Sequence, residues 1–112
     1  MKTKRMWIVL VTMAVLTAAG IAAWEGASAQ GRAEEGRREF VNQGCHGCHT
    51  LGGKLGTPIA PDLSHVGTKY SETYLTAWLR DPAQQRPSAH MPKLELTNTQ
   101  IAALAAFLAS QR

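Results

Sequence analysis

Cysteine is nearly absent: Cys45 and Cys48 are the only two in 112 residues. A structural zinc site would need a second ligand pair at matching spacing, and His65 and His90 stand isolated rather than grouped. No strand pattern extends beyond a few residues. The βαβ frame in which a Cys-x-x-Cys redox dithiol sits is therefore missing. Repeats and low-complexity tracts are absent as well. Charge of one sign is also scarce. The chain carries 12 Lys/Arg against 8 Asp/Glu. Three of those basic residues and Glu25 fall in the first 29 positions, and from Gln30 onward the balance is 9 against 7. That balance excludes a basic nucleic-acid-binding domain, and no nucleic-acid partner is expected.

The two cysteines that are present sit three apart, and a histidine follows the second directly: Cys45-His46-Gly47-Cys48-His49. This is the spacing of covalent haem attachment. Two thiols can add to the two vinyl groups of one haem, and the fixed step to His49 puts an imidazole beneath the iron. A disulfide between the same cysteines would close a very small loop and leave His49 without a role. The expected cofactor is one haem c, covalent through Cys45 and Cys48. His46, between them, is expected to point to solvent.

The N-terminus reads as a targeting segment over residues 1–29. Lys2, Lys4 and Arg5 precede a run of 19 residues, Met6 to Trp24, that is apolar apart from two threonines. Ala27-Ser28-Ala29 offers small residues at the spacing an export peptidase accepts, which predicts a mature start at Gln30. The run is also close to the ~20 residues that span a bilayer, so an uncleaved membrane anchor through residues 6–24 is the alternative. Either way the basic cluster stays cytoplasmic and the rest crosses. The expected location is the periplasm, or the inner membrane with the domain outside the cytoplasm. Residues 30–112 form one domain. Its 83 residues are few for a self-sufficient core, and a buried haem would add apolar surface that the chain lacks.

Within this domain, residues 31–42 read as a helix with Ala33, Gly36, Arg37 and Phe40 on one face. Residues 50–69 read as a loop broken by Gly52, Gly53, Gly56, Pro58, Pro61 and Gly67. A loop of that length fits a compact domain when there is a haem to wrap around. Residues 71–81 read as a second helix, capped by Ser71, with Tyr74, Leu75, Trp78 and Leu79 on its apolar face and Pro82 ending it. Residues 84–92 read as a second loop. Thr97 and Gln100 form a capping-box pattern ahead of a third helix whose stripe is Ile101, Leu104, Ala105 and Leu108, widened by Phe107.

The order helix, Cys-x-x-Cys-His, Gly/Pro loop, helix, Met-Pro loop, capped terminal helix resembles the class I mono-haem cytochromes c of bacterial type, over residues 32–110. The resemblance implies an all-α cytochrome c fold, with three main helices and loops wrapped around one covalent haem c. Gly36 and Phe40 look like the N-terminal helix pair that crosses the C-terminal helix at Leu104 and Phe107. Ala60-Pro61-Asp62-Leu63 resembles the segment whose proline carbonyl accepts a hydrogen bond from the proximal histidine. Met91-Pro92 resembles the distal-ligand motif. The segment from Phe40 to Cys45 is one residue longer than in the mitochondrial carriers, by Gly44. Trp78 to Pro82 resembles bacterial cytochromes that serve oxidases, or domains bound to larger redox enzymes.

On this reading His49 binds iron through Nε2, with the Pro61 carbonyl fixing its ring. Met91 is the distal ligand. It is the only methionine beyond the leader, and a thioether favours Fe(II) and raises the potential. The alternatives are Met91 as core filler, or His90 or His65 in its place. Trp78 and Tyr70 are expected to hydrogen-bond haem propionates or to pack beside the haem. Leu63, Leu79, Leu94 and Leu104 are expected to wall it. Lys54, Lys69, Arg86 and Lys93 are available to steer an acidic partner, or are simply solvated. No catalytic residue is expected. The function implied is one-electron transfer with redox proteins such as a dehydrogenase, a quinol-oxidising complex or a terminal oxidase. The alternatives are a haem subunit of a larger membrane oxidoreductase, and a haem enzyme or sensor with an open distal site.

Overall fold

The computed structural model describes the backbone of residues 2–112 and the side chains along it except those at positions 2, 5, 9–25 and 27. Most of the apolar run from Met6 to Trp24 therefore lies outside the described side chains. Two compact units separate at Gln30, namely Met1–Gln30 and Gly31–Arg112. In the first unit the described residues are helical, and Met6, Trp7 and Ile8 are exposed. Among the described residues no helix is long and apolar enough to cross a membrane.

The first helix, α1, is assigned over Lys2–Asn42. The haem motif follows as a single 3-10 turn, Cys45–Gly47. Then come a two-stranded antiparallel ribbon (β1, Thr50–Leu51; β2, Leu55–Gly56) and four helices: α2 (Val66–Lys69), α3 (Glu72–Arg80), α4 (Pro82–Gln85) and α5 (Asn98–Ala109). The fold is all-α apart from this small ribbon.

The core of the second unit is built on α5. Ile101 and every residue from Ala103 to Leu108 are buried, so the expected stripe is in fact a nearly full cylinder. The cause is that α5 has neighbours on several sides. α3 brings Leu75 and Leu79, α2 brings Val66, and Phe40 of α1 sets its ring 5.9 Å from that of Phe107 at 60°. Gly36 lets the helices touch here. A Cβ at that position would run into the Ala103 carbonyl and the Phe107 Cβ. Gly36, Phe40, Leu104 and Phe107 thus meet in one helix crossing.

Local signals set the helix ends. Ser71 Oγ accepts from Tyr74 N at 3.2 Å and starts α3. Thr97 and Gln100 form both bonds of a capping box, at 3.2 Å and 2.9 Å, and start α5. Gln100 also donates to Glu39 at 3.1 Å, tying that cap to α1. Two departures from the sequence reading concern short elements. Pro82 does end α3, with Asp81 extended at φ −160°, but it also opens α4, where Asp81 Oδ1 caps Gln84 N at 3.3 Å. An acidic residue before proline both stops one helix and starts the next. The 50–69 loop also contains the ribbon and α2. Gly52 and Gly53 turn the ribbon at φ 62° and 68°.

Candidate metal centre

The motif is presented by a tight turn. Gly44, at φ 72°, leads into it. His49 N and Cys48 N both bond the Cys45 carbonyl, at 3.0 Å and 3.2 Å. This folding puts Cys48 and His49 one turn past Cys45. Both thiols are free. Cys45 packs against the core, and burial pushes its thiol above the ordinary value, with the Glu39 carboxylate adding to the effect. Cys48 is exposed.

A second segment folds across this turn. Thr57 N bonds the His46 carbonyl at 3.0 Å, and Ile59 N and Ala60 N bond the Cys48 carbonyl at 3.2 Å and 2.8 Å. Gly56 allows the approach. It sits at φ 105°, and a Cβ there would collide with the His49 carbonyl. The segment delivers Pro61, whose carbonyl accepts a hydrogen bond from His49 Nδ1 at 2.7 Å. Only an Nδ1–H can bond a carbonyl, so the neutral ring here is the Nδ1–H tautomer, with the lone pair on Nε2.

A strap that the sequence reading missed holds the segment down. Thr50 Oγ1 donates to Asp62 Oδ2 at 2.6 Å, Ser64 N donates to Asp62 Oδ1 at 2.9 Å, and Gly52 N donates to Ser64 Oγ at 2.8 Å. These bonds, led by that of Thr50, hold the Asp62 carboxyl below the usual carboxylate range. The available signal was the Asp-x-Ser turn right after Pro61. His46 also differs from expectation. It is half-buried, and its Nδ1 is shielded without a hydrogen-bond partner, because the 57–61 segment lies over its backbone.

Met91 is half-buried and packs on the same core cluster as Cys45 and Leu63. Its sulfur accepts a hydrogen bond from Trp78 Nε1 at 3.2 Å. Trp78, expected to bond a propionate or to pack beside the haem, directs its single donor to Met91 in this structure. Tyr70 is exposed and stacks on Tyr74 at 4.7 Å. Leu79 and Leu104 are buried. Leu94 is half-buried, and its neighbour Leu96 is the residue packed against the cluster. His65 and His90 are exposed. Lys93 pairs with Asp81 at 3.5 Å.

The donor set suits a covalently held haem. Two free thiols lie one turn apart, an imidazole has its Nε2 lone pair available, and a thioether uses one of its two lone pairs on Trp78. Among the described residues no group of three or more His, Cys, Asp or Glu could hold a metal ion.

A small helical domain carrying Cys-x-x-Cys-His, with its histidine tethered by a proline carbonyl, defines the class of c-type haem domains. This chain belongs to the cytochrome c family: residues 33–112 match the family described as Cytochrome c. Haem c binding and electron transfer are the chemistry of that family. The chain is also similar to a cytochrome c oxidase subunit 2 from Alkalihalophilus pseudofirmus, at 32% identity over 87 residues. The match covers 70% of this chain and 25% of that relative, so the chain spans a quarter of the relative's length.

Proposed function

We propose that this chain is an exported mono-haem cytochrome c, with iron held between His49 and Met91, that passes single electrons and transforms no substrate. The carrying observation is the 2.7 Å bond from His49 Nδ1 to the Pro61 carbonyl, which leaves Nε2 as the donor atom for iron. When bound, haem supplies a one-electron iron couple. The chain's residues do the rest. Cys45 and Cys48 attach it, Pro61 orients the His49 ring, and the leucines and Met91 keep water from it. With His49 and Met91 both holding the iron, no position on it would be left for a substrate. The oxidised protein should show a sulfur-to-iron charge-transfer band, and the reduced protein should bind carbon monoxide slowly. Rapid carbon monoxide binding without that band would favour an open-site haem enzyme or sensor.

Residues 1–29 serve export to the periplasm, or residues 6–24 remain as an inner-membrane tether. The basic cluster and the Ala-Ser-Ala site support cleavage. The donor would be a dehydrogenase or a quinol-oxidising complex, and the acceptor a terminal oxidase. Similarity to an oxidase subunit favours a second reading, in which the domain works as a haem-c subunit of a larger oxidoreductase. Mild purification from its own membranes separates the two. A carrier elutes alone, and a subunit elutes with the oxidase.

A further inference from the structure

We infer that Asp62 is a positioning residue for the proximal ligand. Through Thr50 and Ser64 its carboxylate straps the Pro61 carbonyl onto the His49 ring and so strengthens that ring as a donor to iron. The inference rests on the reading of His49 as the residue that binds iron.

The segment that carries Pro61 is not held by burial. Residues 52–59, Pro61 and Asp62 are exposed, and Ile59, at 74% exposure, lends little to the core. The bond between His49 and Pro61 itself lies where water can compete for the carbonyl. Hydrogen bonds therefore have to hold the segment, and they come in register. Upstream, Ile59 N and Ala60 N bond the Cys48 carbonyl at 3.2 Å and 2.8 Å. His49 and Pro61 form the middle pair. Downstream, Leu63 N bonds the Thr50 carbonyl at 2.9 Å, and Thr50 Oγ1 donates to Asp62 Oδ2 at 2.6 Å. Each neighbour of His49 in the chain is thus tied to a neighbour of Pro61.

The downstream tie depends on the carboxylate. The bond from Thr50 has the length of a charge-assisted O–H···O⁻ pair. Oδ1 takes the Ser64 amide at 2.9 Å, and Ser64 Oγ takes the Gly52 amide at 2.8 Å, so the strap reaches the turn of the ribbon. Without it, one backbone bond is left to anchor Pro61 on that side. A looser carbonyl accepts less from Nδ1–H. Nε2 is then a weaker donor, and Fe(III) loses more by this than Fe(II) does.

The test uses the haem-loaded full chain and follows hydrogen exchange of the His49 Nδ1–H by NMR, with the backbone amides of α5 as reference. Thr50→Val keeps the side-chain size and the Asp62 charge but removes the donor. Asp62→Ala removes the strap. Both should speed exchange of the ring proton roughly tenfold, as the loss of a hydrogen bond implies, while the α5 amides keep their wild-type rates. Both should also move an electron-exchange equilibrium with a fixed partner toward the reduced form. Thr50→Ser keeps the hydroxyl and should restore wild-type behaviour. A ring proton that exchanges at the wild-type rate in both variants would overturn the inference. Equal acceleration of the ring proton and the α5 amides would do the same, since the strap would then only add to global stability. Acceleration in Asp62→Ala without any in Thr50→Val would assign the effect to charge and sink the strap. Faster exchange at an unchanged equilibrium would also overturn it, because the strap would then hold the ring without serving the iron. Absence of an iron-shifted His49 ring in the wild-type protein would remove His49 as ligand and this role with it. An iron-shifted ring with unaltered variants would remove the role of Asp62 alone.

Discussion

Single residues carry most of the chemistry, and the consequential ones differ in how they could be found. Cys45, Cys48 and His49 are contiguous, so their spacing announces them. Met91 stands out as the only methionine after residue 29, which is what makes it the candidate for the distal position. Replacing Met91 with Ala should lower the potential and let carbon monoxide bind the reduced protein; an unchanged potential would show that another residue ligates iron. Asp62 was not legible as part of the site, because its partners, Thr50 and Ser64, meet it only once the 57–61 segment has folded over. Its hydrogen bonds favour the carboxylate, so the folded state binds that proton less tightly than the unfolded state. Its contribution is complete above the ordinary carboxylate pKa and is lost as pH falls through the lowered folded value. The melting temperature should therefore decline below about pH 4, and Asp62→Asn should flatten that decline. A decline of the same steepness in the variant would assign the acid sensitivity elsewhere.

At the scale of elements, helices with their own end signals were readable and short elements were not. α3 and α5 each have a capping side chain and a regular apolar face. The ribbon and α2 have neither, since two-residue strands and a four-residue helix are too short for any period to show. α4 was hidden because Asp81-Pro82 was read as a stop only. The partner of Trp78 was hidden for a related reason. Its indole N–H meets a sulfur thirteen residues later, beyond α4, a pairing that the period of α3 alone does not show. Thr97→Ala should remove one of the two cap bonds of α5 and cost about 1 kcal/mol. In a domain of this size that lowers the melting temperature by about 4–8 °C. A thermal melt that did not move would mean that Gln100 and Glu39 hold the helix end without Thr97.

For the whole molecule, the sequence reading of an all-α cytochrome c domain agrees with the helical fold and with the family match over residues 33–112. The proposed cleavage after Ala29 is checked on the native protein. Its mass should equal residues 30–112 plus one haem, and a mass that includes residues 1–29 would establish the tether instead. Nearly balanced charge from Gln30 onward implies partner docking with little long-range steering, so turnover with a redox partner should depend only weakly on salt.

The amides of Ile59 and Ala60 close over the Cys48 carbonyl, and Cys45 lies against the core with its thiol held protonated. Thioether formation needs a reachable, nucleophilic sulfur. A bare chain that folded fully on its own would half-bury one of the two sulfurs that must react, that of Cys45, and leave that of Cys48 exposed. The order of events during biogenesis is thereby constrained. Attachment at Cys45 is easiest before that residue packs against the core, whereas Cys48 can be reached at any stage.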